Sequence, residues 1–156
     1  MKIALKTITS FALAAAAIAF AAPAAAQFQK PEDAVKYRQS ALTVMANSFG
    51  RIGAMVNGRA PFDAKVAQDS AHIVTTLSSL PWAAFTPNTE SIKSRALPEI
   101  WKEGAKFKEA SEKMQAEVAK LEVAAKTGNL DTIKAAFGAA GASCKACHDS
   151  FQAKAN

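Results

Sequence analysis

Four stretches of this chain share one rhythm, in which core-type residues recur at alternating steps of three and four. The first runs Val35, Arg38, Leu42, Met45, Phe49, Ile52, Val56, and the second Val66, Ser70, Ile73, Leu77, Leu80. The third runs Ile100, Gly104, Phe107, Ser111, Met114, Val118, Leu121, Ala125, and the fourth Leu130, Ile133, Phe137, Ala140, Cys144, Cys147, Phe151. Each is the inward seam of an amphipathic helix, and no stretch alternates with the period of a strand. The breaks agree. Pro31 with Glu32 and Asp33 opens helix one and Gly58 ends it. Asp63 caps helix two and Pro81 closes it; Pro98-Glu99 opens helix three and Gly128 ends it; Asp131 caps helix four. The connections 57–62 and 127–130 are short, which makes the helices they join antiparallel neighbours, and only 81–97 is long. The expected fold is all-α, an antiparallel four-helix bundle with room for a cofactor in its core.

The N-terminus is excluded from that fold. Lys2 and Lys6 precede an uncharged, Ala-rich run from Ile8 to Ala22, then Pro23 and the small residues Ala24-Ala25-Ala26. This is the pattern of a secretory signal peptide cleaved after Ala26, and the apolar run is short for a spanning helix. The expected mature domain is 27–156, with no membrane association after cleavage. Losing two lysines takes the net charge from +6 to +4. The remaining positive residues are scattered, so no nucleic-acid footprint is present.

The chemistry is concentrated in Cys144-Lys145-Ala146-Cys147-His148, three of the chain's four Cys and His residues. C-x-x-C-H is the attachment signature of c-type haem: two thiols add to two porphyrin vinyl groups, and the following imidazole reaches the iron. The alternatives are a CxxC redox pair and a structural disulfide. A thioredoxin-like pair sits after a strand at a helix N-terminus, where the dipole lowers the thiol pKa. This pair lies in the second half of a helix, which argues for a binding or electron-transfer protein rather than an enzyme. Export together with CxxCH points to the bacterial periplasm, and thiols consumed by haem are unavailable for disulfides.

Further residues fall around that centre. Arg38 stands on an inward position and needs an anionic partner, for which a haem propionate serves; alternatively its stem packs and its head reaches water. Gln39 adds a hydrogen bond. One turn on, Leu42 is placed over the open iron face and cannot ligate. Met45 is the thioether that would instead make a six-coordinate electron carrier, against core filling. Met55 and Met114 read as packing residues, and His72, off its seam, as a solvent-facing side chain or else a second axial ligand. Trp82 and Phe85 either meet a haem edge or close the end of the bundle.

The stretches Ala34 to Leu42, Leu80 to Phe85, Pro98 to Trp101 and Gly141 to His148, in this order, resemble the cytochromes c′ over essentially all of 27–156. The resemblance implies a periplasmic protein with one covalent haem c per chain, commonly homodimeric through helices one and two. It implies a high-spin, five-coordinate iron with His148 as proximal ligand, Leu42 blocking the distal face, and Arg38 and Gln39 contacting the haem. Counting back from Pro-Glu-Ile-Trp, it places a further haem contact near Arg95. It implies binding of nitric oxide and carbon monoxide but not dioxygen, with nitric oxide buffering or electron transfer as the role. One departure is Gln152, where many members carry a basic residue four places after the proximal histidine; Phe151 keeps the usual aromatic.

Overall fold

The computed structural model describes residues 27–154. The expected leader and its cleavage point lie outside the described residues. Five α-helices follow: α1 (Pro31–Val56), α2 (Ala64–Leu77), α3 (Glu99–Lys102), α4 (Gly104–Lys126) and α5 (Leu130–Phe151). Short 3-10 turns at Trp82–Ala84 and Pro87–Thr89 interrupt the long connection. The four long helices form the antiparallel bundle expected. No helix among the described residues is long and apolar enough to cross a membrane.

Local chemistry sets the helix ends. Pro31 begins α1 with Glu32 and Asp33 in its first turn, where the helix dipole favours negative charge. The chain leaves α1 through Gly58 at φ 69° and α4 through Gly128 at φ 66°, left-handed conformations in which a Cβ would be strained. Asp63 caps α2 as expected, accepting from the Val66 N–H at 3.0 Å. The cap of α5 is Asn129, accepting from the Thr132 N–H at 2.9 Å, and not Asp131, which sits in the first turn. The expected third helix is broken: Glu103 leaves helical geometry at φ −117°, ψ 43°, so α3 and α4 are separate. Helix two ends at Leu77, before Pro81.

Ile52, Val74, Val118, Leu121 and Ile133 form the core, each essentially excluded from solvent. The seams of α1 and α5 match the expected ones, and that of α4 matches from Phe107 onward, whereas Gly104 is exposed. That of α2 is rotated by about one residue: Ala67, Ser70, Ala71 and Val74 are buried, whereas Val66 is 40% and Leu80 39% exposed. Small side chains at the contact let the helix backbones approach closely, which offsets the larger apolar area left at the edge. α4 packs along α5, α1 along α2 and α2 along α4, whereas α1 meets α5 over a shorter stretch. Where they do meet, Phe49 stacks on Phe137 with ring centroids 4.3 Å apart.

Candidate haem site

A cavity of about 850 Å³ opens beside that short α1–α5 contact. α1 contributes Arg38, Gln39, Leu42, Met45 and Phe49 to its wall. α5 contributes Cys144, Cys147, His148 and Phe151. The long connection adds Trp82, Phe85 and Arg95, and Met114 closes it from α4. Every site residue expected from the sequence is therefore brought to one cavity. His72 lies elsewhere, on the outer surface of α2, with Nδ1 3.2 Å from Glu122 Oε1.

The thiols and the imidazole share one side of the cavity because α5 carries them at i, i+3 and i+4. Both thiols are free and half-buried. Burial raises the pKa of Cys144, and burial with the nearby Cys144 raises that of Cys147. Burial lowers the pKa of His148, the charge of Arg95 lowers it further, and Asp149 opposes both. The ring is thereby biased to its neutral form, the one that coordinates metal. His148 and Gln39 have substantial accessible area because the cavity they face is open to solvent.

Arg38 is 2% exposed, as its inward position required. No carboxylate pairs with it among the described residues. Nη1 donates to the Ala84 carbonyl and to Thr89 Oγ1, both at 2.9 Å, and Nη2 makes a longer contact of 3.4 Å to Ser94 Oγ. Its Cζ lies 4.2 Å from the centroid of Phe85. The guanidinium is thus held by the long connection, with neutral oxygens and an aromatic face as partners. The Nε–H and one Nη2–H have no acceptor among these contacts, and Arg38 lines the cavity. An anionic group entering there would find donors already oriented.

Trp82 and Phe85 stand at the cavity and in the aromatic packing around it. They line the cavity, and they join an aromatic cluster in which Phe107 meets Trp82, Phe85 and Phe151 edge-on at 5.6, 4.9 and 5.2 Å. Phe107 and Phe151, on the seams of α4 and α5, also belong to the cavity wall. Arg95 spends its Nε–H on the Ala153 carbonyl at 2.9 Å. Met114 is 3% exposed and packed in the core, as expected.

A large, mostly apolar cavity with two thiols and an imidazole on one wall and unpaired guanidinium donors on another suits an apolar macrocycle with acidic edge groups. The residues fit haem c. Comparison with known proteins agrees. The family model for Cytochrome C' matches residues 33–152. A cytochrome c' from Alcaligenes xylosoxydans xylosoxydans is 54% identical over 128 residues, covering 82% of this chain and 99% of that protein. One from Rubrivivax gelatinosus is 53% identical over 129 residues, covering 82% of this chain and 100% of that protein. The crystal structure of the Rubrivivax gelatinosus cytochrome c' superposes with a TM-score of 0.79 at 52% identity, covering 81% of this chain and 100% of that one. A nitric oxide complex of a leucine-to-isoleucine variant of cytochrome c prime from Alcaligenes xylosoxidans superposes with a TM-score of 0.76, covering 82% and 100%. The chain belongs to the cytochrome c′ family, and its prosthetic group is covalently attached haem c.

Proposed function

We propose that the protein is a periplasmic, five-coordinate, high-spin haem c protein that binds nitric oxide and carbon monoxide, as a buffer of nitric oxide or an electron carrier rather than an enzyme. The observation that carries this reading is Leu42 on the cavity wall, one turn after Arg38, on the helix that faces the CxxCH turn of α5. In this reading Cys144 and Cys147 would hold the haem through thioether bonds to its two vinyl groups. His148 would be the residue of α5 to ligate the iron. Arg38 receives a propionate with its free N–H groups, Gln39 lies beside it, and Trp82 and Phe85 pack on the edge. Bound haem supplies an iron with one open coordination position. Leu42 offers that position an apolar wall and no hydrogen-bond donor. A gas ligand that gathers negative charge, as dioxygen does, goes unsupported there, whereas nitric oxide and carbon monoxide need no donor. The nitric oxide complex of an Alcaligenes xylosoxidans relative supports the choice of gas.

The raised pKa values of Cys144 and Cys147 are the reverse of what a thiol–disulfide enzyme uses. The leader-like N-terminus supports export to the periplasm. Val44 at 50% exposure on α1, with Phe62 and Val66 at the start of α2, supports a homodimer through helices one and two.

A second reading rests on Met45, which lines the same cavity: a six-coordinate, low-spin electron carrier with Met45 on the iron. Carbon monoxide titration separates the two. Leu42→Ala is expected to tighten carbon monoxide binding by about tenfold or more, equivalent to about 1.4 kcal/mol of removed crowding. Met45→Leu is expected to leave the spectrum unchanged. Unaltered affinity in Leu42→Ala, with low-spin bands abolished by Met45→Leu, reverses the assignment.

A further inference from the structure

The last turn of α5 carries His148, and it is held by contacts from outside the helix. The chain leaves α5 at Gln152, which is extended at φ −131°, ψ 128°. From there it runs antiparallel to the segment entering Pro98, with Ala96 and Gln152 bridged. The Leu97 N–H donates to the Phe151 carbonyl at 3.0 Å, and the Ala153 N–H donates to the Arg95 carbonyl at 2.8 Å. The Arg95 side chain closes the pairing by donating from Nε to the Ala153 carbonyl at 2.9 Å. Main chain and side chain of one residue therefore grip both polar groups of Ala153. The Phe151 carbonyl, at a helix end where no intrahelical donor exists, is satisfied by Leu97. Longer contacts, Ala96 N–H to Ser94 Oγ at 3.3 Å and Arg38 Nη2 to the same Oγ at 3.4 Å, link this clamp back to α1. Arg95 also lines the cavity with His148 and Gln152, and its charge acts on the imidazole.

We infer that Arg95 is a positioning residue for the iron ligand: by gripping Ala153 it fixes the last turn of α5 and so the orientation of the His148 ring. This rests on the reading of His148 as the proximal ligand and adds to it the element that aims the ring. A helix terminus frays unless tied down, and a ligand on a fraying turn samples several ring orientations. The clamp removes that freedom at the end of the helix where the haem is held.

The test uses the ferrous holoprotein, reading the iron–histidine stretching band by resonance Raman in wild type, Arg95→Ala, Arg95→Lys and Ala153→Pro. Gln152 is already extended, so proline after it is tolerated while the Ala153 N–H is lost. Arg95→Ala and Ala153→Pro are expected to broaden and shift the band with far-UV circular dichroism unchanged. Arg95→Lys, which keeps a donor and the charge, is expected to retain the wild-type band. In wild type, the Ala153 amide is expected to exchange with solvent about tenfold more slowly than that of Lys154. That comparison decides even where a variant fails to fold: an unprotected Ala153 amide overturns the inference. So does a band identical in Arg95→Ala, Ala153→Pro and wild type. No iron–histidine band in wild type would overturn the reading of His148 itself, and the inference with it.

Discussion

Replacing Arg38 by methionine keeps an apolar stem on the inward face of α1 and removes the guanidinium. Two hydrogen bonds of 2.9 Å and a cation–π contact at 4.2 Å go with it. The losses are unequal. Thr89 Oγ1 keeps its own bond to the Thr86 carbonyl at 2.7 Å. The Ala84 carbonyl, on a residue with 0% exposure, loses its side-chain donor. An orphaned buried acceptor costs about 1–3 kcal/mol. The contact over Phe85 adds about 1–2 kcal/mol. Part of this is returned, because the variant no longer buries a charge. The expected net destabilisation is about 2.5 kcal/mol, which for roughly 130 residues, with an unfolding entropy of about 0.27 kcal/mol/K, lowers Tm by about 9 °C. Thermal unfolding of the holoprotein by far-UV circular dichroism measures it, and hydrogen exchange over 84–94 localises it. Arg38→Lys, with a charge but no fork, is expected to fall between. A Tm within about 2 °C of wild type for Arg38→Met, with unchanged exchange in that connection, would refute the view that Arg38 organises it.

Two further outcomes follow from the packing and the charges. A Cβ on Gly53 would lie 2.9 Å from Cζ of Phe137, whose ring is already stacked on Phe49, so Gly53→Ala is expected to destabilise by about 1–3 kcal/mol despite its better helix propensity; an unchanged or raised denaturant midpoint would count against that packing. Burial raises the pKa of Glu122, but hydrogen bonds from His72 and Lys126 and the charge of Lys126 outweigh it, leaving the carboxyl below its usual value. The folded form therefore prefers the carboxylate: Glu122 contributes stability above the unfolded pKa of about 4.3 and loses it as pH falls through the lower folded value. Denaturant midpoints from pH 7 to pH 3 should show Glu122→Gln less stable at neutral pH and less sensitive to acid, and parallel curves would contradict this.

The helices were legible because their seams repeat at helical spacing, although the break at Glu103 between α3 and α4 leaves no trace in that spacing. α2 misled because Val66 lies exposed at the edge while Ala67 and Ala71 make the contact, and Leu80 falls beyond the end of the helix. Periodicity weights a side chain by its apolarity; packing selects it by how closely two backbones approach. The cap of α5 was expected at Asp131, and the structure places it two residues earlier, at Asn129. The cavity wall was legible where chemistry marked it: the CxxCH turn, the inward Arg38 and the Leu42 and Met45 that follow. What holds Arg38 was not. Its partners come from 46 to 56 residues further along, in a connection without periodicity. The pairing of 95–97 with 151–153 is equally long-range and made of backbone groups, which every sequence carries alike.

The most direct measurement is the absorption spectrum of the purified holoprotein, oxidised and reduced, with and without carbon monoxide. With Leu42, which cannot ligate, at the proposed open face of the iron, high-spin bands that shift when the gas is added are expected. A low-spin spectrum indifferent to carbon monoxide would contradict this and place a second side chain, Met45 first, on the iron.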